Sequence, residues 1–536
     1  MIAAARPGRR PCSTVRPSEI PGLATSSFRT EKDSMGSMEV PVDAYYGAQT
    51  RRAELNFEIS PLRAPRALIR AMGLIKKAAA QVNMDLKLLS ADLGAPIVQA
   101  AQAVADGKHD DQFVVDIFQT GSGTSTNMNT NEVIAGVANE KLTGIKGGKS
   151  PVHPNDAVNM GQSSNDVIPT AIHVAALEGV RKKLIPALEA LQKGLQAKAE
   201  AFDHVVKIGR THLQDAVPIR LGQEFSGYAS QVEHGVRRLT QAGASLAELA
   251  IGGTAVGTGI NTHADFPRRM AEQLNHDTGL DFRPASNGFE AMANRDAAVE
   301  VSGALKTVAI SLSNIANNVR WLASGPRCGI GEIKIPELQP GSSIMPGKVN
   351  PVIPEAVMMV GAQVVGNDAT IAWANALGSN FDLNVMMPVL AFNLLQSIEL
   401  LTNSARHLLE KCVNAEKHLG GKKGEQVVGI EADEVRCRDL IELSLAMCTA
   451  LAPRIGYDAA AALAKRAYKD GTNVRQVALE QVAGKSVEEV VEALGLADRP
   501  TILGNLGVPT AAEIEALLDP QGQTVRGTGV GGTAGG

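Results

Sequence analysis

The sequence predicts a mainly α-helical protein with a bundle of long helices at its centre. Aromatic residues make up 3% of the chain, whereas the 53 glycines and abundant alanines favour close helix packing over strand cores. Five long segments carry apolar residues at helical spacing: 172–201, 225–249, 298–322, 353–375 and 385–412. In the second, Phe225, Tyr228, Val232, Val236, Leu239, Leu246 and Leu249 mark one face. At 536 residues the chain has room for about three domains.

The elements follow in order. Residues 1–27 read as a disordered N-terminal extension. Arg6, Arg9, Arg10 and Arg16 precede the first acid, Glu19, as in an organelle transit peptide, but Pro7, Pro11 and Pro17 break any continuous amphipathic helix. The expected location is cytoplasmic, with mitochondrial as the alternative. Residues 28–160 form an N-terminal domain, with loop and short strand at 35–46 and helices at 67–82 and 91–105. Residues 161–420 form the central bundle, whose helix lengths and small residues suggest a homo-oligomer. Residues 421–518 form a small helical domain with segments at 435–450, 459–469, 474–482 and 511–518. From Asp519 to the end, a Gly/Thr-rich tail reads as disordered.

Composition excludes several classes. A net charge of −4 and a pI near 6.2 give no polyanion-binding balance, so no nucleic-acid partner is expected. No uncharged apolar run is long enough to span a bilayer. Cys12, Cys328, Cys412, Cys437 and Cys448 are odd in number and scattered, which suits neither a disulfide framework nor a zinc or iron–sulfur site. The G-x-G-x-x-G at 527–532 has no strand before it and no helix after it, so it is not a dinucleotide fingerprint.

Chemistry concentrates in a few polar segments. Gly341-Ser342-Ser343-Ile344-Met345-Pro346-Gly347-Lys348-Val349-Asn350-Pro351 places two hydroxyls, a cation and an amide in a loop that glycine and proline keep from becoming helix. Such a loop can close over a small anion and carry a serine with it. The run Thr120-Gly121-Ser122-Gly123-Thr124-Ser125 offers N–H groups and hydroxyls to a carboxylate, and fits a Ser/Thr-capped helix start equally well. His153-Pro154-Asn155-Asp156 leads into Asn159, Gln162, Ser163, Ser164, Asn165 and Asp166, more polar groups than capping alone requires. In Gly209-Arg210-Thr211-His212, the imidazole suits a proton carrier near neutral pH, or a structural histidine. The run 252–259 reads as a tight backbone passage, lacking the lysine of a phosphate-binding loop. No H-E-x-x-H and no nucleophile elbow with triad partners occurs. The inventory suits a small dianion and proton transfer without a metal.

In this order the segments resemble the fumarase/aspartase superfamily and, within it, the class II fumarate hydratases, from about Phe28 to Gly471. The G-S-S-x-M-P-x-K-x-N-P run is the superfamily signature. Thr211-His212, Ser163-Ser164-Asn165, Ser122 and Gly347 resemble the fumarases, where aspartases typically carry other residues. The resemblance implies reversible, stereospecific, metal-independent hydration of fumarate to L-malate in the citric acid cycle, with no cofactor. Aspartate ammonia-lyase is the alternative, and a non-catalytic scaffold on the same fold a lesser one.

It implies a three-domain fold whose central helices assemble into a homotetramer, with each active site shared by three subunits. By the same resemblance, Ser342 is the base in the dehydration direction. His212, polarised by Glu355, moves the proton on the hydroxyl side. Ser122, Thr124, Ser163, Ser164, Asn165, Thr211, Ser343, Lys348 and Asn350 bind substrate. His153, Pro154, Asn155 and Asp156 resemble a secondary dicarboxylate site, although Ser150 stands where the family often has a basic residue. Asp382-Leu383-Asn384 departs from the usual Glu-Leu-Asn, and Met386-Met387 resembles aspartases.

Overall fold

The computed structural model describes residues 27–414, 429–496 and 506–525. The N-terminal extension, apart from Ser27, lies outside the described residues, as does 526–536 of the tail. The chain opens on a hairpin, β1 (Phe28–Asp33) and β2 (Gly36–Pro41), paired antiparallel from Phe28↔Pro41 to Asp33↔Gly36. The sequence reading had only the second of these strands. Four helices follow: α1 (Ala48–Asn56), α2 (Arg66–Asp85), α3 (Ala91–Ala105) and α4 (Thr124–Thr143). Helix α4 ends where Gly144 adopts a left-handed conformation that glycine takes without strain.

The expected helix at 172–201 is a longer rod with a defect. Helix α5 (Ser164–Gly179) passes through a π-turn (Val180–Leu184) into α6 (Ile185–Ala201). Pro186 stands in the first turn of α6 and cannot donate an N–H to the preceding turn, which accounts for the local change of hydrogen bonding. A second hairpin, β3 (Val206–Thr211) and β4 (Gln214–Arg220), leads into α7 (Leu221–Ala242). Helix α7 stops at Gly243, short of the expected end. Phe225, Tyr228, Val232 and Leu239 are buried along it as read, whereas Leu246 lies in a 3-10 turn. Leu249 lies in a two-residue strand that pairs with Arg283–Pro284, a contact remote in sequence.

The rest of the bundle follows the apolar period closely. After α8 (Phe266–Thr278) and α9 (Gly288–Ala293) come α10 (Asp296–Leu322), α11 (Val352–Gly378) and α12 (Met387–Leu408). Along α10, Val301, Leu305, Val308, Leu312, Ile315, Val319 and Leu322 are buried at three- and four-residue spacing, the stripe of an amphipathic helix. Helix α11 differs. Val357, Val364 and Ile371 face inward, yet Met359, Val365, Trp373 and Leu377 are exposed.

The expected helix at 435–450 is α13 (Glu434–Leu443) followed by a 3-10 turn, because the Ser444 hydroxyl accepts the Ala446 N–H and starts a new turn. Helices at Tyr457–Asp470 and Val474–Gln481 match the reading. The stretch from Asp519, expected to be disordered, carries a turn at Gly522–Thr524, where the Thr524 carbonyl accepts from Arg220 and Gln223.

Buried apolar side chains form three clusters. The largest joins α2, α5, α6, α7 and α10–α12; a second lies under the first 160 residues; the third lies in the C-terminal helices. No helix among the described residues is long and apolar enough to cross a membrane.

Candidate active site

The candidate residues occupy three places on the chain. The first is where the N-termini of α4 and α5 meet. Gly123, at φ +75°, turns the chain into α4, and Gly121 packs so closely on Val385 that a Cβ would lie 1.8 Å from its carbonyl oxygen. Ser122 Oγ lies 2.8 Å from Thr124 Oγ1, which lies 2.7 Å from Ser164 Oγ. A chain of three hydroxyls thus crosses from one helix start to the other. Both helices direct the positive ends of their dipoles this way, a favourable setting for a carboxylate. Ser163 caps α5: its Oγ accepts the Asn165 N–H at 3.2 Å, in a capping box with Asp166. Asn165 Nδ2 donates to the Ala255 carbonyl at 2.9 Å.

The second place is the loop 341–351. Its base is tied by Gly341 N–H to the Lys348 carbonyl and by Asn350 Nδ2 to the Gly341 carbonyl, both 2.7 Å. Ser342 Oγ accepts two backbone N–H groups, from Met345 at 3.0 Å and Ile344 at 3.3 Å. Paired N–H donors stabilise negative charge on oxygen, so this cradle lowers the cost of forming an alkoxide at Ser342. Ser343 and Lys348 are exposed. Glu355 sits in the first turn of α11 and, with Arg320, Trp321, Lys334 and Asn350, lines a cavity of about 660 Å³.

The third place is the tip of the β3–β4 hairpin. Thr211 pairs with Gln214, leaving His212 and Leu213 as a two-residue turn with φ of +57° and +60°. Positive φ at both positions is the twist-matched hairpin turn, which ordinarily selects Asn and Gly. Imidazole and leucine there, both exposed, bear a backbone strain of the kind that functional sites store. The hairpin is held from beneath. Arg210 makes a bidentate pair with the fully buried Glu332, at 2.8 and 3.0 Å, and Lys207 lies 3.2 Å from the same carboxylate.

Among the described residues, no hydrogen bond or ion pair joins the three places, and none links His212 to Glu355. His153 makes no hydrogen bond or ion pair to any of them among the described residues. Its Nδ1 accepts the Asn155 and Asp156 N–H groups at 3.2 Å, and it caps the π-turn Pro154–Val158.

Against known proteins, the family model described as "Lyase" matches residues 36–366, and "Fumarase C C-terminus" matches 447–483. A class II fumarate hydratase of Nitrosomonas europaea is 49% identical over 93% of this chain and 99% of its own length. The chain belongs to the class II fumarate hydratase family. The Halobacterium salinarum family member is 52% identical over 94% of this chain and 98% of its own length. The crystal structure of a class II fumarase from Schistosoma mansoni matches with a TM-score of 0.82 at 36% identity, covering 92% of this chain and 98% of that one.

This fumarase-family chain also holds polar residues near the site that the sequence reading passed over. Glu332 anchors the histidine hairpin from 122 positions away. Lys76, fully buried on α2, donates to Asn159 Oδ1 at 2.8 Å and Gln162 Oε1 at 3.0 Å. Burial pushes its ammonium down to about 7. A lysine within the apolar period of a helix was the available signal for Lys76. For Glu332 there was none.

Proposed function

We infer that this chain hydrates fumarate reversibly to L-malate. The cradle around Ser342 carries the chemistry of that reading, within a family defined by fumarate hydratases. In the dehydration direction, Ser342 Oγ takes the C3 proton of L-malate. The C–H electron pair moves onto C3 and its carboxylate as a dianionic aci-carboxylate, and Lys348, Asn350, Thr124 and Asn165 hold that charge. The C2–O bond then breaks, and the leaving hydroxide receives a proton by way of His212, polarised by Glu355, giving fumarate and water. Ser122, Ser163, Ser164, Thr211 and Ser343 complete the binding of the two carboxylates.

A homotetramer with each site shared by three subunits accounts for the three separate places. The apolar side chains exposed on α11 support it, since a helix apolar on all sides belongs inside a larger assembly. Domains are proposed at 28–160, 161–420 and 421–518, supported by the separate apolar clusters under the first 160 residues and in the C-terminal helices, while α2 packs into the core of the central bundle. The proposed location is the cytoplasm. His153, Pro154, Asn155 and Asp156 are proposed as a secondary dicarboxylate site.

The test is the fumarate absorbance band, which falls when purified protein is added, with or without a chelator. No change with fumarate alone, but consumption once ammonia is added, would move the assignment to aspartate ammonia-lyase.

A further inference from the structure

The run 252–259, read from sequence as a tight backbone passage, has a partner. Asp166, fully buried in the first turn of α5, accepts the N–H groups of Gly252 and Thr254 on Oδ2, each at 2.9 Å. Its Oδ1 accepts the Ser163 N–H at 2.9 Å. One carboxylate therefore joins the cap of α5 to a loop 86 to 88 residues later. The loop is strained where it is held: Thr254 has φ of +52°, and Gly252, at +96°, has no room for a Cβ beside Pro267. Such a conformation persists only when its surroundings over-determine it. One residue further, the Ala255 carbonyl accepts from Asn165 Nδ2. Burial raises the Asp166 carboxyl, and the three N–H groups and the Lys76 ammonium pull it back.

We propose that Asp166 is a positioning residue for the reaction. By locking the 252–255 loop to the α5 cap, it fixes the direction in which Ser164 and Asn165 face the substrate. The loop in turn holds the Asn165 amide through Ala255. This rests on the proposed role of Ser164 and Asn165 in binding the dicarboxylate.

The same chain contains a control. Glu132 on α4 is also buried and also holds three backbone N–H groups: Gln49 on Oε1, and Gly47 and Thr50 on Oε2. It serves the start of α1. In Asp166→Asn or Glu132→Gln, one acceptor oxygen becomes an NH2 facing an N–H, so both variants bear a similar structural cost.

Steady-state kinetics on the assembled variants, with oligomer size and Tm checked, separates the roles. D166N raises KM for fumarate and L-malate by roughly tenfold, and E132Q leaves KM within about twofold at a comparable loss of Tm. Equal KM changes in the two overturn the proposal. If D166N does not assemble, Thr254→Gly replaces it. Glycine keeps the N–H bond to Asp166 but frees the loop, and KM rises about threefold; an unchanged KM there overturns the proposal. A wild-type chain inactive on fumarate sinks the proposed function instead.

Discussion

Met345 donates its backbone N–H to Ser342 Oγ across 3.0 Å, from three residues along the same loop. With the Ile344 N–H on the same oxygen, the loop makes an anion hole for its own serine before any substrate arrives. Ser342→Ala leaves this backbone intact and removes the proposed base. Turnover falls roughly 10²- to 10⁴-fold, the usual worth of a positioned general base, while oligomer size and Tm hold. Near-wild-type turnover would show that another group takes the proton.

Gly341 closes that loop. A Cβ there would lie 2.6 Å from the Lys348 carbonyl oxygen and 2.9 Å from the Asn350 nitrogen, both backbone atoms with little freedom to move. Gly341→Ala opens the loop base and lowers kcat at least about tenfold, with stability within about 1 kcal/mol of wild type because the loop lies outside the core. Gly347→Ala meets no atoms within 4 Å and bears only the cost of φ +77°, so its kcat falls less. The reverse order in kcat would refute this account of the loop.

His212→Asn separates the ring from the turn. Asparagine takes the left-handed conformation readily, so the hairpin keeps its shape while the imidazole is lost. The expected outcome is a fall in turnover of roughly 10²-fold or more, with circular dichroism and assembly unchanged. Wild-type rates would return His212 to a structural role.

Two inactive variants test the shared site. If each centre takes Ser342 from one subunit and His212 from another, co-expressed S342A and H212N chains form some centres with both residues intact. For random mixing these are about a quarter of the total, so activity reappears at about a quarter of the wild-type value. A site built within one chain predicts none.

Stability should fall in mild acid through His173. Burial and the nearby Arg295 push its imidazole down to about 4, while Nδ1 is 2.7 Å from the Glu248 carbonyl and Nε2 has no hydrogen-bond partner among the described residues. A depressed folded-state pKa gives stability that is complete above the unfolded value of about 6.5 and lost as pH falls towards 4. Across that window the contribution is up to about 3 kcal/mol. Denaturant titrations at pH 7 and pH 5 should show the loss in wild type, and His173→Asn should reduce it. An equal loss in both would assign the acid sensitivity elsewhere.

The sequence by itself determined the helices, because their determinants are local. The apolar stripe of α10, the Ser163 capping box and the left-handed Gly144 each act within a few residues. It also determined the local shape of the 341–351 loop, since the donors to Ser342 Oγ lie two and three positions away. Its errors came where a local signal met a distant one. The α7 stripe seemed to continue to Leu249, but that residue pairs with a strand near residue 284.

Only the tertiary structure decided how the polar segments join. Thr124 meets Ser164 across 40 positions, Asp166 holds Thr254 across 88, and Arg210 meets Glu332 across 122. Which of many hydroxyls and carboxylates pair at such separations depends on how the bundle's apolar faces pack, since packing brings their helix ends together. The burial that hides Asp166 and Glu332 from water also makes their bonds hard to break, because an unpaired charge there is costly.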